Sequence, residues 1–210
     1  MAKVKSKKHD TFIDMTAMSD VCVLLLTFFM LTATFMPKEP VQVITPSSVS
    51  DVKIPEANVL TMLIDPSGKV FLNIDRPDDK RAVLESIGKQ RGITFTPQQV
   101  NSFVNQTHVG VPIKALPDFL NLSLGEQDGF LRNVKNENVG VPTDTIISSK
   151  NELAIWIQTV ADVNKDVAFA IKADQNTPYS DVKVVMSTLQ DLKKNRYTLV
   201  TSLSGMPEGY

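Results

Sequence analysis

The longest apolar stretch of the chain lies near its N-terminus, at residues 15–36. Asp20 is the only charged residue inside it, and its length is close to the ~20 residues that an α-helix needs to cross the hydrocarbon core of a bilayer. The pattern predicts one transmembrane helix over residues 15–37. Two other interpretations stay open, namely a helix buried in a soluble fold and a signal peptide, although Asp20 and the bulky Phe35 argue against cleavage.

Asp20 and three threonines of this stretch share one side of the predicted helix. At 100° of rotation per residue, Thr16, Thr27 and Thr34 project within about 40° of Asp20. A threonine hydroxyl can bond to a carbonyl of its own helix, whereas a carboxyl group has no such local partner. Because an ionisable group at membrane depth costs a few kcal/mol, Asp20 is a candidate functional residue. The alternative is that its carboxyl group reaches the cytoplasmic interface from a position near the helix end.

The segment that follows, residues 38–56, is rich in proline and serine and predicts an extended linker. Near its end, apolar alternation before a proline predicts an edge strand. Val52, Ile54 and Pro55 of that strand are candidates for pairing with a strand of a partner. The last predicted strand, residues 197–203, is a second candidate edge.

The remaining periodicity predicts a small α+β domain over residues 57–210. Apolar runs at residues 58–65 and 70–73 flank a Pro-Ser-Gly-Lys turn and predict a hairpin. Further helices and strands follow from helical spacing, helix-start residues and β-rich runs: helices at 78–89, after Thr96, at 151–164 and at 177–195, and strands at 166–172 and 197–203. The order predicts a mixed sheet with helices on one face. Val-Gly-Val-Pro occurs at residues 109–112 and 139–142, which is too short to establish a repeat.

The charges are distributed unevenly around the apolar stretch. Four lysines and one aspartate lie in residues 1–12, whereas the rest of the chain is nearly balanced. By the positive-inside rule, residues 1–14 are expected to stay in the cytoplasm as a short tail, and the C-terminal bulk is expected to be exported. The net charge of −1 gives no indication of nucleic-acid binding.

No catalytic or metal-binding pattern is visible in the sequence. The single cysteine, Cys22, lies in the apolar stretch, and the two histidines, His9 and His108, are far apart. No serine has a histidine or lysine in a recognisable arrangement, and no glycine-rich phosphate loop occurs. We therefore expect neither an enzyme, nor a metal site, nor a cofactor.

Four stretches together resemble the ExbD/TolR biopolymer-transport family. Residues 13–21 resemble the I-N-x-T-P-x-x-D-V start of that family's transmembrane helix, with Asp20 on its membrane aspartate. Residues 52–57 resemble its V-x-L-P-x-A strand, and residues 64–70 are similar to its I-D-x-x-G-x-I hairpin. The fourth stretch resembles I-x-A-D-x-x-V-x-Y-x-x-V-x-x-V-M-x-x-L through Ile171, Lys172, Ala173, Asp174, Tyr179, Val182, Val185, Met186 and Leu189.

The chain departs from the family pattern in three places. Ala17 replaces the usual proline, which predicts a less kinked helix start, and Asp14 replaces the usual asparagine, which adds a second carboxylate near the membrane. Residues 75–149 exceed the family pattern and are interpreted as an insertion in the exported domain. The sequence does not indicate its function beyond a partner-specific surface.

The resemblance implies a stator-type motor subunit of the cell inner membrane. Two copies of the chain would place their helices inside a pentameric ring of a multi-span ExbB/TolQ-like protein. Asp20 would carry protons down the proton-motive force, and the threonine stripe would line the path. The C-terminal domain would engage a TonB-like protein or the cell wall in the periplasm. An ExbD-like role is favoured over a TolR-like role in envelope maintenance, and a membrane-anchored binding domain without a proton role remains an alternative.

Overall fold

A computed structural model describes residues 15–33, 39, 41, 43–48, 57–133, 135–136, 138–144 and 151–203. The chain divides after Pro37 into an N-terminal unit and a larger C-terminal unit. All buried hydrophobic residues of the described part belong to the C-terminal unit.

The N-terminal unit contains helix α1, Thr16–Thr32, which has no buried residue. Ala17 lies in its first turn, and the hydroxyl of Thr27 donates to the carbonyl of Leu24 at 2.9 Å. Among the described residues, no helix has both the length and the apolar character required to span a membrane. Asp14 and Thr34 lie outside the described residues.

The C-terminal unit is built on a mixed four-stranded sheet. Its strands are β2 (Val59–Ile64), β3 (Val70–Ile74), β4 (Ala168–Ala173) and β5 (Tyr197–Leu199), in the order β3-β2-β4-β5. β2 and β3 form the predicted antiparallel hairpin, and β4 is parallel to both β2 and β5. The α+β class and the mixed sheet predicted from the sequence are therefore confirmed.

One predicted strand is wrong in its extent. Residues 197–203 do not form one strand, because the chain leaves the sheet after β5 and forms a second short strand, β6 (Ser202–Leu203). β6 pairs in parallel with β1 (Ser47–Ser48), which lies in the predicted linker. The backbone N–H of Ser202 donates to the carbonyl of Pro46 at 3.0 Å.

Helices connect and flank the strands along the chain, and four of the six α-helices in the described part of the C-terminal unit begin close to where the sequence predicts. The six are α2 (Pro77–Arg91), α3 (Pro97–Asn105), α4 (Leu116–Leu120), α5 (Leu124–Arg132), α6 (Glu152–Val163) and α7 (Tyr179–Asp191), with a 3-10 turn at Ile113–Ala115. α3 begins with a capping box of Thr96 and Gln99, and α5 with one of Ser123 and Glu126. The sequence analysis did not predict α4 and α5.

The two faces of the sheet differ in polarity. The register places Leu60, Met62, Leu72 and Ile171 on one face, and these side chains join the buried core. The residues between them in each strand point to the other face, which is more polar. That face carries Thr61, Asn73 and Lys172 as well as Leu63 and Phe71. A Cβ atom at Gly110 would lie 2.1 Å from the Phe71 ring, so only glycine fits beside it.

The segment 75–149 contributes to the core of the domain. Val83, Leu84 and Ile87 of α2 are fully buried. Phe103 of α3 stacks on Trp156 of α6 with a ring separation of 6.0 Å and an interplanar angle of 12°. Helices α2 and α3 inside the segment and helix α6 after it thus share one hydrophobic core.

The two Val-Gly-Val-Pro segments lie together at the outer edge of β3. Val109 exchanges two backbone hydrogen bonds of 2.7 Å with Leu72, and the N–H of Val141 donates to the carbonyl of Val70 at 2.8 Å. The N–H of Gly140 donates to the carbonyl of Gly110 at 2.7 Å. These bonds cover the β3 edge, so among the described strands β5 carries the open edge of the sheet.

Candidate functional site

Asp20 lies on a predominantly apolar helix. It is the only charged residue of α1, and Thr27, seven residues later, falls on the same side by helical geometry. The apolar side chains around it are more than half exposed, from 51% for Leu25 to 87% for Leu31. These side chains leave a large apolar surface uncovered within the described residues.

A second constellation of polar groups surrounds Asp174, at the end of β4. One carboxylate oxygen accepts the backbone N–H of Asn176 at 2.9 Å, and the other accepts the backbone N–H of Ile44 at 2.8 Å. The carbonyl of Ile44 in turn accepts the N–H of Gln175 at 2.9 Å. The hydrogen bond from Asn176, with a further one from Ile44, holds the pKa of Asp174 below its usual value of 3.8 although burial opposes this. The site binds the backbone of the predicted linker.

Further contacts extend this docking along the linker. Lys172 pairs with Glu39, with 2.5 Å between Nζ and Oε1. Val41 and Val43 are half-buried against the core, and β1 continues the contact through its pairing with β6. The described residues between 39 and 48 therefore lie along the domain surface.

The turn of the β2–β3 hairpin contacts the segment that follows β4. The carboxylate of Asp65 accepts the backbone N–H groups of Ser67 and Lys69 at 2.9 and 2.8 Å. The carbonyl of Asp65 accepts the hydroxyl of Thr177 at 3.0 Å. Gly68 has φ of +81°, and a Cβ there would lie 2.3 Å from a carboxylate oxygen of Asp181. The hairpin and the segment after β4, which carry two of the family-like motifs, are thus in direct contact.

His108 is a buried histidine next to the β3 edge. Its exposed fraction is 6%, and its Nδ1 atom has no hydrogen-bond partner in the described part of the structure. Burial lowers the pKa of His108 from 6.5 to about 4, and the charges that act on it are Glu39, Lys172, Lys80 and Asp128. The imidazole is therefore neutral near pH 7.

This burial makes a pH-dependent stability measurable. Between pH 6.5 and about 4 the unfolded chain binds a proton that the folded chain excludes, so the free energy of unfolding falls as the pH falls through this window. We expect His108 to account for a loss of about 3 kcal/mol. Urea unfolding of the full chain in detergent, followed by Trp156 fluorescence at several pH values, measures it.

His108→Gln is the matched variant, because glutamine keeps a polar side chain that does not titrate. Its stability should change less than that of the original chain between pH 6.5 and 4. Equal pH profiles for the two proteins would contradict the assignment. Asp174 contributes separately, since its stabilising carboxylate is lost only as the pH falls through a folded pKa below 3.8.

The structure locates some of the predicted site residues and not others. Asp20, Thr16 and Thr27 lie on α1, whereas Val52, Ile54 and Pro55 lie outside the described residues. Within the described ranges, no group of three or more histidine, cysteine, aspartate or glutamate side chains could hold a metal ion.

Sequence reasoning missed the docking of the linker. It placed Asp174 in a family-like motif, but it did not predict the bond from Ile44. The alternation of Val41 and Val43 within a proline- and serine-rich segment was the available signal, since one apolar side chain every second residue is typical of a strand or strand-like segment that packs on a surface.

The sequence model of the family described as Biopolymer transport protein ExbD/TolR matches residues 6–204, nearly the whole chain. The chain belongs to the ExbD/TolR family. Comparison with curated proteins and comparison with solved structures found no match. The ExbD/TolR family acts in energy transduction for biopolymer transport and is not a family of enzymes. Its members are in general anchored in the inner membrane and associate with ExbB/TolQ-like partners in a membrane complex.

Proposed function

We propose that this ExbD/TolR protein is the proton-carrying subunit of an ExbB/ExbD-type motor. The observation that carries the proposal is α1, an exposed and predominantly apolar helix whose one charged group is the carboxylate of Asp20. The family membership supports the same role. In the proposal, residues 15–37 span the inner membrane and residues 1–14 lie in the cytoplasm.

The carboxyl group of Asp20 couples proton flow to movement by changing its charge. Facing an apolar surface it is neutral, because desolvation disfavours the charged form, and facing a polar seam it is ionised. A proton that crosses the membrane releases about 2.3 kcal/mol per 100 mV. In the helix predicted over residues 15–37, Thr16, Thr27 and Thr34 would line the path on the side of Asp20.

The complex that this proposal requires has a defined composition. Two copies of the chain place their helices inside a pentameric ring of an ExbB/TolQ-like subunit, which covers the apolar surface of α1. The C-terminal domains lie in the periplasm, where they transmit work to a TonB-like partner. The open β5 edge and the strand predicted from the sequence at Val52, Ile54 and Pro55 are the proposed places for a partner strand.

Co-purification tests the assembly. The full chain is co-expressed with the multi-span subunit encoded near it and purified in detergent, and the mass of the complex is measured by light scattering and native mass spectrometry. We expect five multi-span subunits to two copies of this chain. A matched variant replaces residues 15–36 with an unrelated apolar helix of equal length, which should still insert in the membrane but lose the complex.

The variant with the exchanged helix also distinguishes the motor proposal from the alternative that the protein is a membrane-anchored binding domain. If the helix is only an anchor, the exchanged helix leaves function intact, and the motor proposal is wrong. A TolR-like role uses the same chemistry with a different partner. Deletion of the gene should impair energised outer-membrane uptake for the ExbD-like role that we favour, and envelope constriction for the TolR-like role.

A further inference from the structure

The loop between α2 and α3 lies between two surface grooves. The first groove, of about 630 Å³, is lined by α2, the loop and the start of α3. The second, of about 750 Å³, is lined by Arg91, Lys114, Glu152 and two prolines. Ile93 lines both, so the loop forms a common wall. Nothing in the proposed motor role assigns a purpose to this surface.

The loop is fixed on the helix below it. Gly92 ends α2 in a left-handed conformation with φ of +68°, and the N–H of Ile93 donates to the carbonyl of Gly88 at 2.9 Å. A Cβ at Gly88 would lie 2.6 Å from the carbonyl oxygen of Ile93 and 3.3 Å from the Phe95 ring. The capping box of Thr96 and Gln99 then sets the direction of α3. The grooves are therefore preformed, which lowers the ordering cost of binding.

The floor of the first groove is apolar. Ile93, Phe95 and Val100 line it, and each is only half-buried although it packs against the core. These side chains leave apolar area in contact with solvent at the base of a depression. A ligand that places an apolar side chain there would remove that area from water.

The rim carries positive charges that are not used inside the domain. Arg81 and Lys89 border the first groove and Lys114 the second, and none of the three forms an ion pair with a residue of the described part. Glu85 is the one exposed acid on the rim. The carboxylate of Glu152 is already engaged, since it accepts the N–H of Ile113 at 2.6 Å. The rim is therefore complementary to negative charge.

We propose that these grooves bind a peptide segment of a partner protein in which acidic side chains flank apolar ones. The apolar side chain would occupy the floor at Phe95 and Val100, and carboxylates would pair with Arg81, Lys89 and Lys114. The whole chain has a net charge of −1, so the positive charge of this rim is a local feature. The inference assigns a binding role to the segment 75–149, independently of proton transfer at Asp20.

Fluorescence anisotropy of labelled peptides tests the proposal on the full chain in detergent. The probe is a peptide of four Glu-Leu pairs, and a peptide of four Lys-Leu pairs reports on charge. We expect the acidic peptide to bind at least ten times more tightly than the basic one. The triple variant Arg81→Gln, Lys89→Gln and Lys114→Gln should weaken binding of the acidic peptide about tenfold, because three exposed charge pairs, each contributing modestly, are lost together.

Two further variants test whether binding occurs in the groove. One controls for a general effect of charge, and the other controls for misfolding. Lys165→Gln, Lys183→Gln and Arg196→Gln together remove the same charge from exposed sites elsewhere and should leave binding unchanged. Asn101→Trp fills the first groove from the exposed face of α3 and should abolish binding while the thermal unfolding midpoint stays constant. Equal weakening by both triple variants, or undisturbed binding to Asn101→Trp, would overturn the proposal. So would a change in oligomeric mass caused by Asn101→Trp, which would identify a second copy as the occupant.

Discussion

Asp20→Asn is expected to abolish proton-dependent work while the membrane complex still assembles. Asparagine has nearly the same size and can form hydrogen bonds, but it cannot take up and release a proton at any physiological pH. Proton influx into proteoliposomes that contain the co-purified complex, under an imposed pH gradient, should fall to the background of protein-free vesicles. Energised outer-membrane uptake in cells should be lost in parallel.

The control for this prediction is Thr32→Val on the same helix. Thr32 projects away from Asp20, and its hydroxyl donates to the carbonyl of Phe28 at 2.9 Å, so its loss should change neither proton influx nor assembly. Asp20→Glu retains an ionisable carboxyl group and should retain part of the proton influx. Full proton influx in Asp20→Asn would exclude this residue as the proton carrier.

Phe103→Ala is expected to cost about 3–5 kcal/mol in the free energy of unfolding of the C-terminal domain. Phe103 is 1% exposed and stacks on Trp156, so its removal leaves a cavity between α3 and α6 in addition to the lost transfer energy. Urea unfolding of the full chain in detergent, followed by the fluorescence of the single tryptophan, measures the change. The loss is large against a typical domain stability of about 5–15 kcal/mol.

Leu124→Ala is the matched control in the same part of the chain. Leu124 is 44% exposed at the start of α5, and its truncation should cost no more than about 0.5 kcal/mol. A cost below about 1 kcal/mol for Phe103→Ala would show that α3 contributes little to the core. The segment 75–149 would then be an appendage, contrary to the packing described above.

The contacts of the linker are made at β4, an inner strand of the sheet. Lys172 lies in β4 and pairs with the side chain of Glu39, and Asp174, directly after β4, accepts the backbone N–H of Ile44.

Several elements could be predicted from the sequence because their causes are local. The hairpin follows from a turn between two apolar runs, and the start of α3 follows from Thr96, Pro97 and Gln99, which interact within one turn. The apolar, uniformly exposed character of α1 and the isolation of Asp20 within it are also properties of neighbouring residues. The motifs that resemble the ExbD/TolR family are likewise patterns of residues that are close together in the chain.

Other features depended on contacts between residues that are distant in the chain. The hydrogen bond from Ile44 to Asp174 spans 130 positions, and it requires that β4 end beside the linker. The two Val-Gly-Val-Pro segments both reach the β3 edge, and His108, next to Val109, is buried there. Side-chain pattern alone does not specify which edge or face a loop will cover.

By itself, the sequence determined the apolar helix with its single carboxylate, the α+β class, the hairpin and the family-like motifs. Each of these rests on periodicity or on hydrogen bonds within a few residues. Only the tertiary structure decided that residues 75–149 share the core through Phe103 and Trp156, that the linker lies on Asp174, and that β5 remains an open edge. Those outcomes depend on which distant surfaces exclude water together, and that is a property of the folded chain.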